Sequence, residues 1–334
     1  VTTDVVLEGT LVGGAEVELA ATRSVLERLR DGWLLEVCRS DQSLRAYRSD
    51  FDAWLAWCAR CGRYPLEVDR EFFSAWVRYL EREPSERTKR PLAEASLARR
   101  VSVISSFYGF AVDEPAAGVD RSPVMRRGRP KMPNVSTTVG LSRDEARAFR
   151  KRLEVESARD RAVVDVLLLD GIRSGELREL DIGSTGYDSG HVVLRVFGKG
   201  RKVRKVVMAA PAVASVGAYL EERAAAAGVP VGELDTALPL FVNAAGGRLT
   251  SQAVLRIVRR IARAAGIKSW ERLSPHSLRH AFITLGLDAG VPIHEIADHV
   301  GHASVRTTQR YDRARGALAR TPVHTLAAFI EPEG

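Results

Sequence analysis

The chain has 334 residues, 45% of them hydrophobic, enough to build one large or two ordinary domains around buried cores. Fifty Lys+Arg against 42 Asp+Glu leave a formal net charge of +8, an excess that suits a polyanionic partner without proving one. No apolar run is long enough to span a bilayer, and Val1-Thr2-Thr3-Asp4 lacks the basic and apolar regions of a secretory leader, so the expectation is a soluble, cytoplasmic protein with no membrane partner.

Cys38, Cys58 and Cys61 are an odd and sparse set, which argues against a disulfide framework. Cys58 and Cys61 have CxxC spacing, but no second Cys/His pair lies nearby to complete a tetrahedral zinc site, so they read as two thiols on one helix face.

Residues 1–14, with Gly9, Gly13 and Gly14, read as a flexible N-terminal extension. From 15 to 119 the hydrophobic period is helical: Leu26, Leu29 and Trp33 form one stripe, and Tyr47, Phe51, Trp54, Leu55 and Cys58 a second. Phe72, Phe73, Trp76, Val77 and Leu80 form a third. Leu97, Val101, Ile104, Phe107 and Phe110 form a fourth, read as split, with Ser96 as its cap. The stripes predict a small all-α bundle whose aromatics are core. Arg45, Arg48, Arg99 and Arg100 on its flanks are candidate phosphate contacts, each alone also readable as a solvated surface charge.

Between 120 and 140 the helical pattern stops. Arg121, Arg126, Arg127, Arg129 and Lys131 alternate with Pro123, Pro130 and Pro133, the composition of an extended, semi-rigid linker that could lie along a phosphate backbone.

A second domain, 141–320, opens with Ser142 and Glu145 in a capping box. The segment from Arg161 to Asp170 is apolar on nearly every face and predicts a central helix ending at Gly171. Arg173 follows, with Glu176 one turn on as the partner that a buried guanidinium needs. Two β-branched runs, 191–197 and 203–208, flank Gly198-Lys199-Gly200-Arg201-Lys202 and predict a hairpin with a basic tip. The amphipathic helix predicted at 251–265 carries Arg256, Arg259 and Arg260 away from its core stripe, where they could meet DNA. His276 and Arg279 share a helix face by their i, i+3 spacing. Downstream lie His302 and Tyr311, the latter a phenol able to attack phosphorus if cations stabilise the transition state and its proton is removed.

The ordered set Gly171-Ile172-Arg173-Ser174-Gly175-Glu176-Leu177, Gly198-Lys199-Gly200, His276-Ser277-Leu278-Arg279-His280, Gly301-His302 and Tyr311 resembles the tyrosine recombinase (phage integrase-like) family over 141–320. A weaker similarity to its helical core-binding domain begins near Ser43. The resemblance implies a mainly α fold with a small antiparallel β-sheet in the C-terminal domain, arranged as a two-domain DNA clamp. It also implies a site-specific, nucleoid-associated recombinase that cleaves and rejoins DNA through a 3′-phosphotyrosyl intermediate and a Holliday junction. Arg173 and Arg279 would clamp the scissile phosphate, and His276 and His302 would hydrogen-bond it, with His276 able to act as general base. Lys199 would protonate the departing 5′-hydroxyl, Tyr311 would be the nucleophile, and Glu176 and His280 would orient their neighbours. No cofactor or metal is implied. The partners would be double-stranded DNA and a homo-tetramer, or a mixed tetramer with a paralogue, with the 321–334 tail in protomer contact. A type IB-like topoisomerase and a catalytically silent DNA-binding regulator are the competing readings. Arg279→Ala is expected to leave folding intact while slowing cleavage.

Overall fold

The structure is a computed structural model that describes residues 14–83, 89, 91–124, 138–198, 203–302, 304 and 307–309, with residues 14–24 and 42 described in backbone only. The chain divides into two compact units, 1–133 and 134–334.

The first unit is helical: α1 (Gly14–Val37), α2 (Asp41–Arg60), α3 (Arg70–Arg82) and α4 (Glu94–Asp113). The Ser40 hydroxyl accepts the Ser43 amide and the Asp69 carboxylate accepts that of Phe72, satisfying orphan donors at the starts of α2 and α3. The aromatic stripes meet in one core, where Trp33, Phe51, Trp54, Trp76, Phe107 and Tyr108 are all buried. Trp54 is the hub, its ring 4.9 Å from Trp76 and 5.7 Å from Phe73. Its Nε1 donates to the Tyr108 hydroxyl at 3.2 Å, and that hydroxyl donates to the Pro65 carbonyl. A buried indole and phenol thereby lose no hydrogen bond on burial.

Two details differ from the sequence reading. The fourth helix is unbroken, and it starts at Glu94 with Ala93 in the cap position, so Ser96 lies inside its first turn. The serines at its middle do not interrupt it, because Ser106 Oγ accepts the Trp33 Nε1 proton at 3.1 Å. A short 3-10 turn, Pro115–Ala117, then reverses at Gly118, and Ala117 and Val124 are buried in the same core. The first unit therefore keeps its packing a few residues past 119. Most of the basic linker, 125–137, lies outside the described residues.

The second unit contains α5 (Arg143–Leu153), α6 (Ala158–Leu169), α7 (Ser174–Glu179), α8 (Ala210–Ala227), α9 (Ser251–Ala264), α10 (Pro275–Asp288) and α11 (Ile293–Val300). Its sheet has the order β1 (Thr185–Asp188), β2 (His191–Phe197), β3 (Val203–Val207), all antiparallel. The capping box of Ser142 and Glu145 closes both ways at the start of α5. Helix α6 is buried from Ala162 to Leu168 and packs against α8 and α10 at the centre of the unit. The predicted hairpin is β2–β3, with Phe197 opposite Val203. Strand β1 carried no such signal, because it is four residues long and contains Gly186. Among the described residues no helix is long and apolar enough to cross a membrane.

Asp170 ends α6 and is buried. One carboxylate oxygen accepts the Ala209 amide at 2.8 Å, while Oδ2 has no hydrogen-bond partner among the described residues. Burial, with the negative charge of Asp165 adding to it, raises its pKa from 3.8 to about 7.

Two stability predictions follow from these buried polar groups. Tyr108→Phe strands the Trp54 N–H and the Pro65 carbonyl, and should cost ~1–3 kcal/mol in urea denaturation with an unchanged slope. For Asp170 the folded pKa lies above the unfolded one, so its contribution is complete below about pH 4 and is lost as the pH rises through about 7. Asp170→Asn keeps the acceptor for Ala209 without the charge, so its melting temperature relative to the parent should climb between pH 4.5 and pH 8. A difference independent of pH would show that Asp170 titrates normally.

Candidate active site

Three separate stretches of the second unit bring the predicted residues together. Arg173 sits at the start of α7, where its backbone N–H donates to Glu176 Oε2 and its Nη1 donates to Glu176 Oε1, both at 2.8 Å. Its Nη2 donates to the Gly301 carbonyl at 3.1 Å, which ties α7 to the end of α11, 128 positions along the chain. The guanidinium keeps 42% of its side-chain surface open to solvent.

Glu176 is buried, and a second guanidinium meets it. Arg204 of β3 donates from Nη1 and Nη2 to its two oxygens, each at 2.8 Å, and from Nε to the His299 carbonyl at 3.3 Å. Burial alone would raise the Glu176 pKa. The fork from Arg204 and the bonds from Arg173 outweigh it and hold the carboxyl at about 2. In the sequence Arg204 is one more charge of the basic cluster formed by Lys199, Arg201, Lys202, Arg204 and Lys205, and not a candidate site residue. The signal was the strand alternation, which puts Arg204 on the same face of β3 as buried Val206.

Arg279 comes from α10, a helix started by Ser274 as cap and Pro275 at its first position. Its side chain is among the most buried large ones, at 1% exposure. Nη1 donates to the Gly171 carbonyl at 2.7 Å and Nη2 to the Val300 carbonyl at 2.6 Å. The guanidinium thus joins the ends of α6 and α11. This changes the expectation for Arg279→Ala: removing the side chain leaves two buried carbonyls without donors, so the variant loses stability as well as the charge. Arg279→Lys is the gentler change.

His276 lies on the first turn of α10 and is exposed. Its pKa is lowered by desolvation from the surrounding protein and then by the charges of Arg279 and Arg173. His302 follows Gly301, whose left-handed backbone (φ 65°) ends α11, and its backbone N–H donates to the Ala297 carbonyl at 2.9 Å. Its Nδ1 shares a 2.8 Å hydrogen bond with the hydroxyl of buried Thr308. Burial lowers its pKa to about 4, with Arg279, Arg173, His276 and Arg204 each contributing. Both imidazoles are therefore neutral at pH 7 and able to accept a proton or a hydrogen bond.

His280 is buried one turn behind His276, and the backbone at Gly140 passes so close that a Cβ there would stand 2.7 Å from its Nδ1. Lys199, Tyr311, Arg201 and Lys202 lie outside the described residues, as do Arg126, Arg127, Arg129, Lys131 and the 321–334 tail.

The other predicted DNA contacts divide by their surroundings. Arg45 and Arg48 are exposed on α2. Arg99 and Arg100 on α4 both pair with buried Asp50, the first in direct hydrogen-bond contact and the second at 3.4 Å. On α9, Arg256 is exposed, Arg259 donates to the Leu273 carbonyl at 3.1 Å, and Arg260 is held by Glu156 and Asp160 at 2.6 and 2.7 Å. Arg260 is thus committed to carboxylates of its own unit. Among the described residues no group of three or more His, Cys, Asp or Glu could hold a metal.

Residues 140–316 match the phage integrase family, and residues 27–115 match its N-terminal SAM-like domain. The chain is 31% identical to tyrosine recombinase XerD of Xanthomonas axonopodis pv. citri over 323 residues, 94% of this chain and 99% of the relative. In fold it is similar to the XerH site-specific recombinase bound to difH substrate (TM-score 0.63, 18% identity, 89% of this chain and 84% of the other). It is also similar in fold to a lambda integrase tetramer bound to a Holliday junction (TM-score 0.61, 17% identity, 90% and 80%). With the family profile covering more than half of the sequence, the chain belongs to the phage integrase family of tyrosine recombinases, enzymes that cleave and rejoin DNA.

Proposed function

We propose that this protein is a site-specific DNA recombinase in which Tyr311 attacks the scissile phosphate while Arg173, Arg279, His276 and His302 hold its oxygens. The observation that carries this reading is the convergence in the second unit. Two guanidiniums reach one locality from residues 173 and 279, and each depresses the basicity of both His276 and His302. Such a concentration of positive charge, facing neutral imidazoles, suits a phosphodiester whose transition state gathers negative charge on its non-bridging oxygens.

In the proposed reaction the Tyr311 oxygen bonds to phosphorus, its proton passing to His276, and the bond to the 5′-oxygen breaks as Lys199 protonates it. The product is a 3′-phosphotyrosyl link and a free 5′-hydroxyl. The phosphodiester free energy is kept in that link, so rejoining to another 5′-hydroxyl needs no nucleotide cofactor. His280, buried one turn after His276 on α10, would hold His276 in place. Arg45, Arg48 and Arg99, with their exposed charges, are the proposed backbone contacts of the helical unit, and Arg256 that of α9. The relative captured as a tetramer on a Holliday junction supports the same assembly for this chain, with two duplexes exchanging strands pairwise.

The test uses nicked suicide duplexes carrying candidate sites and scores a covalent protein–DNA adduct on denaturing gels. The parent should form it, and Tyr311→Phe should bind the same duplex with affinity within about twofold and form none. Adduct formation by Tyr311→Phe would overturn the nucleophile assignment, and absence of an adduct from the parent on a verified site would leave a regulator. Relaxation of supercoiled, site-free DNA without two-site products would indicate a topoisomerase. Binding should weaken steeply with salt, log K falling linearly with log salt concentration by roughly 0.9 per phosphate contacted.

A further inference from the structure

Arg279 owes its position to two carbonyls on different segments, and something must hold those segments together. Its Nη1 and Nη2 bond Gly171 and Val300, which lie just past α6 and at the last position of α11. The residues immediately before them, Asp170 and His299, are themselves joined. His299 Nε2 donates to the Asp170 carbonyl at 3.0 Å. The two strands of contact run side by side, 170 to 299 and 171 through the guanidinium to 300.

The imidazole is fixed from two further directions. Its ring stacks on Phe282, centroids 5.1 Å apart with 23° between planes, and Phe282 sits on α10 three residues after Arg279. Phe282 in turn lies so tightly on Gly171 that a Cβ there would stand 2.5 Å from its ring, and Gly171 has a φ of 61°. The His299 carbonyl accepts Arg204 Nε at 3.3 Å, and Arg204 is the fork that holds Glu176 and, through it, Arg173. One half-buried side chain thus bonds the residue before Gly171 and stacks on the ring that packs against Gly171, while its own backbone precedes Val300 and touches the Arg173 support.

We propose that His299 is a positioning residue for the cleavage reaction, whose Nε2–H bond to the Asp170 carbonyl sets the spacing of the two carbonyls that aim Arg279. Nothing in this role requires His299 to touch DNA or to change its protonation. It requires a ring for Phe282 and an N–H for Asp170. The imidazole is kept neutral, chiefly by burial and then by Arg204 and Arg279, so the Nε2 proton remains as a plain donor and the tautomer is set by the carbonyl it meets. The proposal rests on the recombinase reading only for its kinetic arm.

Two substitutions separate the ring from the donor. His299→Phe keeps the stack and removes the N–H, and His299→Gln places an amide N–H near the Nε2 position while giving up the ring. On a suicide duplex that the parent cleaves, the first-order rate of adduct formation from pre-bound complex should fall about tenfold in His299→Phe, the loss of one buried donor to a carbonyl. His299→Gln should recover most of it, with duplex affinity within about twofold for both. Independently of any DNA, the Arg279 guanidinium protons should exchange slowly with water in the parent and in His299→Gln by NMR, and at least tenfold faster in His299→Phe. Equal protection in His299→Phe and the parent would overturn the proposal, whatever the cleavage rates. A parent that forms no adduct, with the exchange pattern as expected, would instead count against the recombinase reading and leave the positioning role standing.

Discussion

A single carboxylate, Glu176, makes the rest of the site possible. Two guanidiniums near each other repel, and burying either without a counter-charge costs several kcal/mol. Glu176 accepts three side-chain donors and one backbone donor from Arg173 and Arg204, so both arginines can be fixed while Arg173 still offers a large part of its surface to a ligand. Arg279 is handled differently. Its Nη1 and Nη2 are met by carbonyl dipoles at the ends of α6 and α11. One arginine is held by a carboxylate and the other by backbone, and their summed field reaches the same two imidazoles.

The helical unit repeats the device in miniature. Asp50, buried in α2, faces Arg99 and Arg100 of α4, although the carboxyl keeps a raised pKa because burial outweighs its cations. Arg99 stays about half exposed, so a charge that would otherwise sweep freely through solvent is tethered. Tethering reduces the side-chain entropy lost when such an arginine meets a phosphate.

Much of this was legible in the sequence because it depends on local spacing. The heptad-like aromatic stripes of α2 and α3 found Trp54 and Trp76, the Ser142–Glu145 box found the start of α5, and the i, i+3 relation of Arg173 to Glu176 gave their ion pair. What could not be read was everything set by long-range return of the chain. Arg204 looked like one more member of a basic cluster, since its partner is 28 residues earlier. His299 drew no reading at all, because the carbonyl it meets is 129 residues away. Nor did the sequence show that Arg260, a candidate DNA contact, pairs with Glu156 and Asp160 about a hundred positions back while staying half exposed. The missed strand β1 is a different failure, of weak propensity over a four-residue element that its neighbour β2 stabilises.

The low basicity of His302, with a pKa of about 4, has a consequence for the timing of chemistry. Part of that depression comes from the positive charges of Arg279, Arg173 and Arg204, which the Glu176 carboxylate held between the last two does not fully offset. In the proposed reaction a phosphodiester entering between Arg173 and Arg279 supplies the missing negative charge, and the imidazoles beside it become stronger proton acceptors as it arrives. The substrate itself would then switch on the bases that act on it. The direction of that effect is fixed by the sign of the charges: a phosphate between the arginines raises the basicity of His276 and His302.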